Sequence, residues 1–229
     1  MLEVLFDEVS INSEFGITLA ERPVLPVSGA RYITYEVPGR NGKLSIFDGY
    51  EDVPYSLRFN YIDENAKPTF REIVNFLTGK KRVRLSDSDN YRLISQSVIS
   101  IKDANNDIAE WCDFEIEIMT EPFEYEDSAM QTTTTNTTIV NPSNIEAGVI
   151  IKVFGTGTCR VLLNENQMIF TDVQDYITVD GIMKKAHKDM SSRDNTMQGR
   201  YPVLKSGRNT ISVSGQTTKI EIYKRWCWR

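Results

Sequence analysis

The sequence is poor in the residues that most often carry enzyme chemistry. Its 229 residues include one histidine and three cysteines, Cys112, Cys159 and Cys227. A lone histidine excludes sites that need two, such as the HExxH zinc site. An odd number of cysteines cannot all pair within the chain, and their spacing matches no metal motif. We therefore expect reduced thiols in a protein that folds in a cytoplasm, with no metal and no cofactor.

Long apolar runs, glycine and proline are scarce as well. No run approaches the roughly 18 residues of a membrane helix, and the start MLEVLFDEVS lacks the basic region of a secretory signal. With 13 glycines and 8 prolines, the chain is neither collagen-like nor disordered. The net charge of −6 argues against a general nucleic-acid binder. The sequence thus predicts a globular protein that does not insert into a membrane.

Motifs of catalysis are missing too. The sequence has no Gly-x-Ser-x-Gly, no phosphate-binding loop and no dinucleotide-binding glycine pattern. Carboxylates are plentiful, so a glycosidase pair, as in a cell-wall hydrolase, stays an alternative. Glu115 and Glu117 fall on the polar side of an amphipathic strand, where carboxylates are normally solvated. We predict that the protein is not an enzyme, with no catalytic residues.

Charge divides the chain into two parts. Residues 1–127 carry a net charge of −11 and residues 128–229 a net charge of +5. Between them lies the polar run QTTTTNTT, Gln131 to Thr138, which reads as a linker or an extended surface strand. We predict a first domain over 1–127, a Thr/Asn-rich linker over 128–144 and a second domain over 145–229. The ten acids from Asp103 to Asp127, with no base among them, form either a solvated strand face or a surface that repels DNA.

The first part is predicted to be β-rich around one helix. Alternation of apolar and polar residues predicts strands at 57–61 and 112–119, and β-branched residues predict another at 94–101. The runs RYITYEV and KLSIF flank a turn in which Asn-Gly favours a tight hairpin. The predicted turn consists of Pro38, Gly39, Arg40, Asn41 and Gly42.

One helix stands out in the first part. Thr69 and Glu72 form a capping box, and Gly79 supplies a left-handed stop. Four apolar side chains follow at i, i+3, i+4 and i+7, which predicts one buried stripe belonging to the core. Its members are Phe70, Ile73, Val74 and Leu77. The basic cluster from Lys80 to Arg84 is predicted to be a solvated helix end, with phosphate contact as its alternative.

The second part shows short strand-like runs separated by turn signals and no good helix, which favours a β-sandwich or barrel. It ends in Trp226-Cys227-Trp228. Two tryptophans rarely stay fully exposed, so Trp226 and Trp228 are predicted to pack against the domain or to dock a partner. Sugar stacking on these rings is the alternative. The predicted fold class is mainly β: a β-rich α+β domain with one main helix, followed by a β-sandwich.

Three segments, in their order along the chain, resemble a known family. They are Val37 to Asp52 with the hairpin turn, Leu57 to Leu77 with the helix, and Met197 to Trp228. The last contains Tyr201-Pro202-Val203-Leu204 and Gly207-Arg208-Asn209-Thr210-Ile211 before the closing strand. Together they resemble the distal tail (Dit) proteins of long-tailed phages or prophages of Gram-positive bacteria. The order and length of the likeness cover nearly the whole chain.

This resemblance implies a structural virion protein. The family's N-terminal domain forms a homo-hexameric ring between the tail-tube protein and the tail-associated or spike protein, and DNA passes through without specific binding. Its C-terminal domain is a galectin-like β-sandwich where receptor-binding or baseplate proteins dock. The expected location is the virion tail tip, after assembly in the host bacterial cytoplasm. In such a ring, the hairpin turn from Pro38 to Gly42 is expected to contact the neighbouring subunit. The alternative function is a carbohydrate-binding module for host cell-surface glycans, which would use the β-sandwich of the second part and its aromatic residues. Some members carry a sugar-binding insertion, but this chain has no room for one, which argues against direct sugar binding.

Overall fold

The computed structural model describes residues 1–61, 66–108 and 111–229. The chain divides into two compact units, Met1–Tyr125 with Arg229, and Glu126–Trp228. Strands dominate both, so the predicted mainly β fold class is confirmed. No helix in the described ranges is long and apolar enough to span a membrane.

The first unit is built on one antiparallel sheet of seven strands. Their spatial order is β3-β6-β9-β8-β7-β1-β2. Two further strands, β4 and β5, pair only with each other. The elements are β1 Val4–Phe6, β2 Val9–Ser10, α1 Ile11–Phe15, β3 Thr18–Leu19, β4 Ala30–Tyr35, β5 Leu44–Tyr50, β6 Val53–Tyr61, α2 Ala66–Leu77, β7 Arg82–Leu85, β8 Tyr91–Ile108 and β9 Trp111–Asp127.

The core of the first unit lies on one face of this sheet. Every second residue of β6 is buried, from Val53 to Tyr61, and in β9 the same alternation runs from Phe114 to Thr120. Leu57 pairs with Ile116 and Phe59 with Phe114 across the two strands. This period of two confirms the predicted alternation of these two strands, while the side chain of Cys112 lies outside the described part of the structure. The buried members of the core are Val4, Phe6, Ile11, Ile17, Tyr55, Leu57, Phe59, Tyr61, Ile73, Leu77, Val83, Leu85, Phe114, Ile116 and Ile118.

Helix α2 covers the same core, but it begins earlier than its sequence pattern predicts. It starts at Ala66, so Thr69 lies inside the first turns rather than at the N-cap. Pro68 is compatible with this start because the first helical turn needs no backbone donor there. Ile73 and Leu77 are buried, whereas Val74 is 38% exposed and falls off the stripe. Phe76 packs instead, edge-on to Phe6 and Phe15.

The second unit contains two sheets that share their longest strands. One has the spatial order β16-β15-β14-β12-β19-β10 and the other β17-β13-β12-β19-β11. The elements are β10 Gln131–Thr133, β11 Thr137–Asn141, β12 Ala147–Leu163, β13 Asn166–Val173, β14 Tyr176–Asp180, β15 Lys185–Lys188, β16 Ser191–Ser192, a 3₁₀ turn Asp194–Thr196, β17 Met197–Gln198, β18 Val203–Leu204 and β19 Gly207–Trp228.

Strands β12 and β19 pass from one sheet to the other through bulges. Their register shifts between Phe154 and Gly155, and again between Gly155 and Cys159. A Cβ at Gly155 would stand 2.2 Å from the carbonyl oxygen of Gln216, so only glycine fits this crossing. The bends allow two strands to contribute to both layers of a β-sandwich.

The Thr/Asn-rich segment predicted as a linker over 128–144 belongs to the second unit. Gln131–Thr133 and Thr137–Asn141 both pair with β19 as edge strands. Ile139 and Asn141 are buried. The threonine run therefore takes the extended-strand alternative, because threonine is β-branched and the neighbouring strand satisfies its backbone.

The Gly-x-Asn-x-Ile segment has a structural role in this unit. The Asn209 side chain is fully buried and makes four hydrogen bonds. It accepts from the Lys205 N–H at 2.9 Å and from Asn164 Nδ2 at 2.8 Å, and it donates to the carbonyls of Lys205 and Gly207. A single amide thus ties the turn before β19 to the turn between β12 and β13.

Candidate assembly interface

The hairpin formed by β4 and β5 exposes apolar side chains that the rest of the described chain does not cover. Ile33 pairs with Ile46 and Tyr35 with Leu44 across the two strands. These four residues lie on one face, which we call the open face, and they are between 37% and 49% exposed. Cross-strand apolar pairs of this kind normally face a core. Here they form a surface suited to contact with another protein.

The turn of this hairpin differs from the predicted Asn-Gly turn. The N–H of Arg40 donates to the Val37 carbonyl at 3.1 Å, and Gly39 has a φ of +78°. This combination, with Pro38 at the second position, is a type II turn. Asn41 and Gly42 follow it as a bend, because eight residues separate Tyr35 from Leu44 and a two-residue turn would be too short. All five residues of the predicted interface turn are exposed.

A series of aromatic rings runs along the opposite face of the hairpin and ends in one contact with β9. Tyr32 meets Phe47 at 6.0 Å between centroids, and Phe47 meets Tyr50 at 5.2 Å. Tyr50 in turn meets Phe123 of β9 at 5.2 Å. These edge-to-face contacts each add stabilisation beyond buried area. Tyr32 and Phe47 are still 56% and 52% exposed, so the hairpin is held mainly at Tyr50 and exposes apolar side chains on both faces.

Two ion pairs brace the hairpin without covering it. Arg31 Nε lies 2.9 Å from Asp48 Oδ2, and Lys43 Nζ lies 3.0 Å from Glu36 Oε1. All four side chains are at least 40% exposed, so each pair contributes little to stability. Both outer edges of this two-stranded sheet also keep free backbone groups within the described chain, which is the geometry that strand addition requires.

Sequence reasoning missed a second exposed apolar segment. Residues 22–27, which we call the strap, lie outside helices and strands and leave Val24 86% exposed and Val27 70% exposed. Pro23 and Pro26 remove the N–H groups that a sheet ladder would use. This segment is visible in the sequence as ERPVLPV, in which prolines rather than polar residues separate the apolar residues.

The acids of β9 lie on the face opposite the core. Glu115 pairs with Arg58 and Glu117 with Ser56 in the register of β6 and β9. Both glutamates are half-buried, and the Arg58 guanidinium lies 3.5 Å from Glu21. The polar face predicted for this strand is confirmed for Glu115 and Glu117, whereas acids 103–110 lie outside the described side chains.

The two terminal tryptophans are not equivalent. Trp226 is only 6% exposed, with Lys224 Nζ 5.8 Å from its ring centroid, so a partner cannot reach its face. Trp226 therefore takes the packing alternative of the sequence prediction. Trp228 is half-buried, and docking through it remains a prediction. Among the described residues, no group of three or more histidines, cysteines, aspartates or glutamates is placed to hold a metal ion.

These features describe a mainly β protein with two compact units and a hairpin that exposes apolar side chains. No family model and no curated protein sequence matches the chain. Its fold is similar to that of the Dit protein of phage SPP1, which is described as a paradigm of the hub adsorption apparatus in phages that infect Gram-positive bacteria. The TM-score is 0.67 at 11% identity, over 99% of both chains. At this identity the comparison establishes the fold, and the resemblance predicted from the sequence is confirmed at that level.

Chains of the phage P2 baseplate in its activated conformation are also similar. The calcium form gives a TM-score of 0.49 at 10% identity, covering 99% of this chain and 98% of that one. The strontium form gives 0.48 at 11% identity, covering 98% and 97%.

Proposed function

We propose that this protein is a structural hub of a phage tail tip. Six copies close into a ring that joins the tail-tube protein to the tail-associated or spike protein. The whole-chain fold shared with SPP1 Dit is the observation that carries this proposal, since 99% coverage of both chains leaves neither unit unmatched. The protein acts in the virion tail after assembly in the bacterial cytoplasm, and it breaks no bonds.

The open face of the hairpin supplies the subunit contact in this proposal. A ring needs heterologous interfaces, in which two different surfaces of each copy meet. Ile33 and Ile46 give the hairpin an apolar surface, and its unpaired edges offer strand addition to the neighbouring copy. The turn from Pro38 to Gly42 reaches the neighbour first because it lies at the exposed tip.

Light scattering on the purified full-length chain tests the ring. We expect a mass of six chains for the wild type and a single chain of 26.2 kDa for Ile46→Asp. Ser45→Asp is the matched control, because Ser45 is also exposed but lies on the opposite face, and it should stay hexameric. A wild type that remains monomeric at every concentration, or a hexameric Ile46→Asp variant, contradicts the proposal.

The acidic face of β9 is proposed to line the channel and to repel passing DNA. Glu115 and Glu117 project away from the core on neighbouring positions of one face. Like charges along a channel oppose adsorption of a polyanion. Phage carrying Glu115→Gln and Glu117→Gln should eject DNA more slowly and with stronger salt dependence. Unchanged ejection kinetics in assembled virions would contradict the proposal that this acidic face lines the channel.

The second unit is proposed to dock receptor-binding or baseplate proteins on the outside of the ring. Trp228 at the end of β19 is the half-buried aromatic that such a contact would use. Pull-down of baseplate proteins by the wild type and by Trp228→Ala tests this contact. Equal capture by both proteins would exclude Trp228 from the interface.

A glycan-binding role is a second candidate, because the second unit carries a polar cleft of about 590 Å³. One aromatic residue, Tyr201, lines it among amide and charged groups, the mixture that saccharide sites use. Most of these groups already bond within the protein: Asn166 bonds the Arg200 backbone, and Tyr201 donates to Asp194 at 3.1 Å. A glycan array with the full-length chain separates the candidates. Saturable binding that Tyr201→Ala removes would favour the glycan module.

A further inference from the structure

The hairpin contains the only Asn-Gly pair of the sequence, Asn41-Gly42, and the fold does not use it to make the turn. The type II turn closes through the Arg40 N–H and the Val37 carbonyl, just before the pair. Asn41 and Gly42 follow as an exposed bend, and β5 begins only at Leu44. The pair is therefore left without the structural role that its sequence predicts.

An Asn-Gly pair that is not held by the fold has a chemistry of its own. The backbone nitrogen of the glycine attacks the carbonyl carbon of the asparagine side chain, and a five-membered imide forms. The attack requires a backbone conformation outside helices and strands. Glycine permits it best, because a side chain on the attacking residue would obstruct the approach. A hydrogen bond to the attacking nitrogen, or pairing in a sheet, prevents it.

Neither form of protection is found at Asn41. No hydrogen bond within the described chain holds the Gly42 N–H or the Asn41 side chain. Both residues are exposed, and a Cβ built on Gly42 would meet no atom within 4 Å. The bend can therefore change its backbone angles without breaking a contact in the described part of the chain.

The charges beside the pair favour the attack as well. The Gly42 nitrogen must lose its proton before it attacks, and nearby cations stabilise the anion that results. Arg40 precedes Asn41 directly, and no acid pairs with Arg40 in the described ranges. Lys43 follows Gly42, and its side chain is 62% exposed although it pairs with Glu36 at 3.0 Å.

A second pair in the same hairpin, Asp48-Gly49, is protected and serves as the comparison. Gly49 lies inside β5, where it pairs with Arg31 of β4. Arg31 Nε donates to the Asp48 carboxylate at 2.9 Å, and its Nη2 donates to the Asp48 carbonyl at 3.2 Å. These contacts keep the Asp48 side chain away from the Gly49 nitrogen. An ionised carboxylate is in addition a poor electrophile.

We propose that Asn41 is a site of spontaneous deamidation in the free chain. The Gly42 nitrogen bonds to the Asn41 Cγ, the Cγ–Nδ2 bond breaks, and ammonia leaves with the proton that the Gly42 nitrogen gives up. One water molecule then opens the imide at either of its carbonyls, which leaves aspartate or isoaspartate at position 41. The reaction consumes one water, releases one ammonia and needs no oxidant, metal or second protein.

Mass spectrometry of the full-length Ile46→Asp chain, which the proposed function makes monomeric, tests the site. Cleavage after Glu36 and Glu51 releases residues 37–51, in which Asn41 carries the only side-chain amide. During incubation near pH 8 this fragment should gain about one mass unit, or about three in water labelled with oxygen-18. Isoaspartate at position 41 should accompany the gain, because the imide opens at both carbonyls.

Two comparisons within the same protein show that the reaction depends on the site. Asn164 also lies in a turn, but Glu165 follows it and its amide donates to Asn209 at 2.8 Å. Asn41 should convert at least about tenfold faster than Asn164, which corresponds to a barrier lower by about 1.4 kcal/mol. Asp48 should form no isoaspartate in the same incubation.

The control variant and the unfolded chain make the proposal falsifiable. Asn41→Gln keeps an exposed amide but would have to form a larger ring, so the mass gain of fragment 37–51 should disappear. The chain unfolded in guanidinium gives the rate without any protection by the fold. A fragment that converts when unfolded but stays unchanged in the folded protein would show that the bend protects Asn41, and it would overturn the proposal.

The same measurement separates this site from the proposed ring, and this last comparison alone rests on the proposed function. In the wild-type hexamer, Asn41 should convert more slowly than in the Ile46→Asp monomer, because the neighbouring copy restricts the tip of the hairpin. Equal conversion in both proteins would contradict the contact through the tip while it confirms the deamidation site.

Discussion

Two strand pairs of the first unit look alike in sequence and behave differently in structure. In β6 and β9, every second side chain is buried, and Leu57 is fully covered opposite Ile116. In β4 and β5, apolar pairs also face each other, yet the open face of Ile33, Tyr35, Leu44 and Ile46 stays exposed. The first pair completes a core, while the second lacks one within the described chain.

The difference shows what an alternating pattern does and does not encode. Alternation predicts a strand with one apolar face, but the covering surface is a property of the tertiary or quaternary structure. The α2 helix covers β6 and β9, and no element of the described chain covers the open face. An apolar hairpin without its own core is a candidate for burial by another molecule, which is the role that the proposed ring gives it.

The largest expected difference between the two strand pairs comes from replacing one leucine in each of them by alanine. Leu57→Ala removes a fully buried side chain and should lower the free energy of unfolding of the first unit by about 3–4 kcal/mol. Leu44→Ala removes a side chain that is 37% exposed and should cost less than about 1 kcal/mol in the lone chain. Urea unfolding of the monomeric Ile46→Asp background measures both. Similar losses would mean that the hairpin has a core after all.

In the second unit, a buried polar side chain can be removed in the same way to measure its contribution to stability. Asn209→Ala leaves the turn groups of Lys205, Gly207 and Asn164 without their buried partner and should cost about 2–3 kcal/mol. The neighbouring Arg208→Ala is the control, since that side chain is exposed and its loss should be nearly neutral. Thermal unfolding of both variants measures the difference. Equal melting temperatures would show that the Asn209 side chain does not stabilise the second unit.

Sequence patterns predicted the strands around Leu57 and Phe114 because a period of two survives in any half-buried strand. They also predicted the end of α2 at Gly79, where the φ of +81° requires glycine or a close substitute. The start of α2 was missed, because the capping box at Thr69 imitated a helix start inside a longer helix. Local signals compete in this way, and tertiary packing decides between them.

The position of the hairpin turn was predicted but not its turn type, and its role as a subunit interface stays a prediction. Pro38 to Gly42 does form an exposed hairpin tip, although the type II turn uses Pro38 and Gly39 rather than Asn41 and Gly42. The small cavity lined by Arg22, Arg84 and Arg92 was not predictable, since these residues come from separate elements of the first unit. For Trp226 the sequence left packing and docking open, and the fold decided for packing.

A smaller effect is expected where backbone conformation rather than burial is tested. Gly79→Ala places a Cβ in the left-handed region after α2 and should cost about 1–2 kcal/mol. Gly29→Ala, near the base of the hairpin, has no positive φ, and its Cβ would meet Glu51 Oε2 at an ordinary 3.6 Å. This control should be neutral. Chemical unfolding measures both, and a neutral Gly79→Ala would show that α2 ends differently in solution.

The reaction rates of two thiols compare the interior of the second unit with the open face of the hairpin. Cys227 reports on the interior. Cys227 is buried and donates to the Glu146 carbonyl at 3.5 Å, and burial raises the pKa of its thiol from 9.0 to about 11. At a fixed pH near 8 its thiolate fraction falls about 100-fold, and its reaction with a disulfide reagent should slow by at least that factor. Because the folded pKa is the higher one, the protein loses stability as the pH rises from about 9 toward 11.

Ile46→Cys supplies the matched reporter on the open face, in a background with Cys112→Ser and Cys159→Ala; alanine is used at 159 because that side chain is fully buried. In dilute, monomeric protein its thiol should react at nearly the rate of a free cysteine, because residue 46 is 49% exposed. On assembly the same thiol should become protected, whereas Cys227 should stay slow in both states. A residue-46 thiol that remains reactive in the hexamer would place the subunit contact elsewhere on the chain, and a fast Cys227 would show that the interior of the second unit opens.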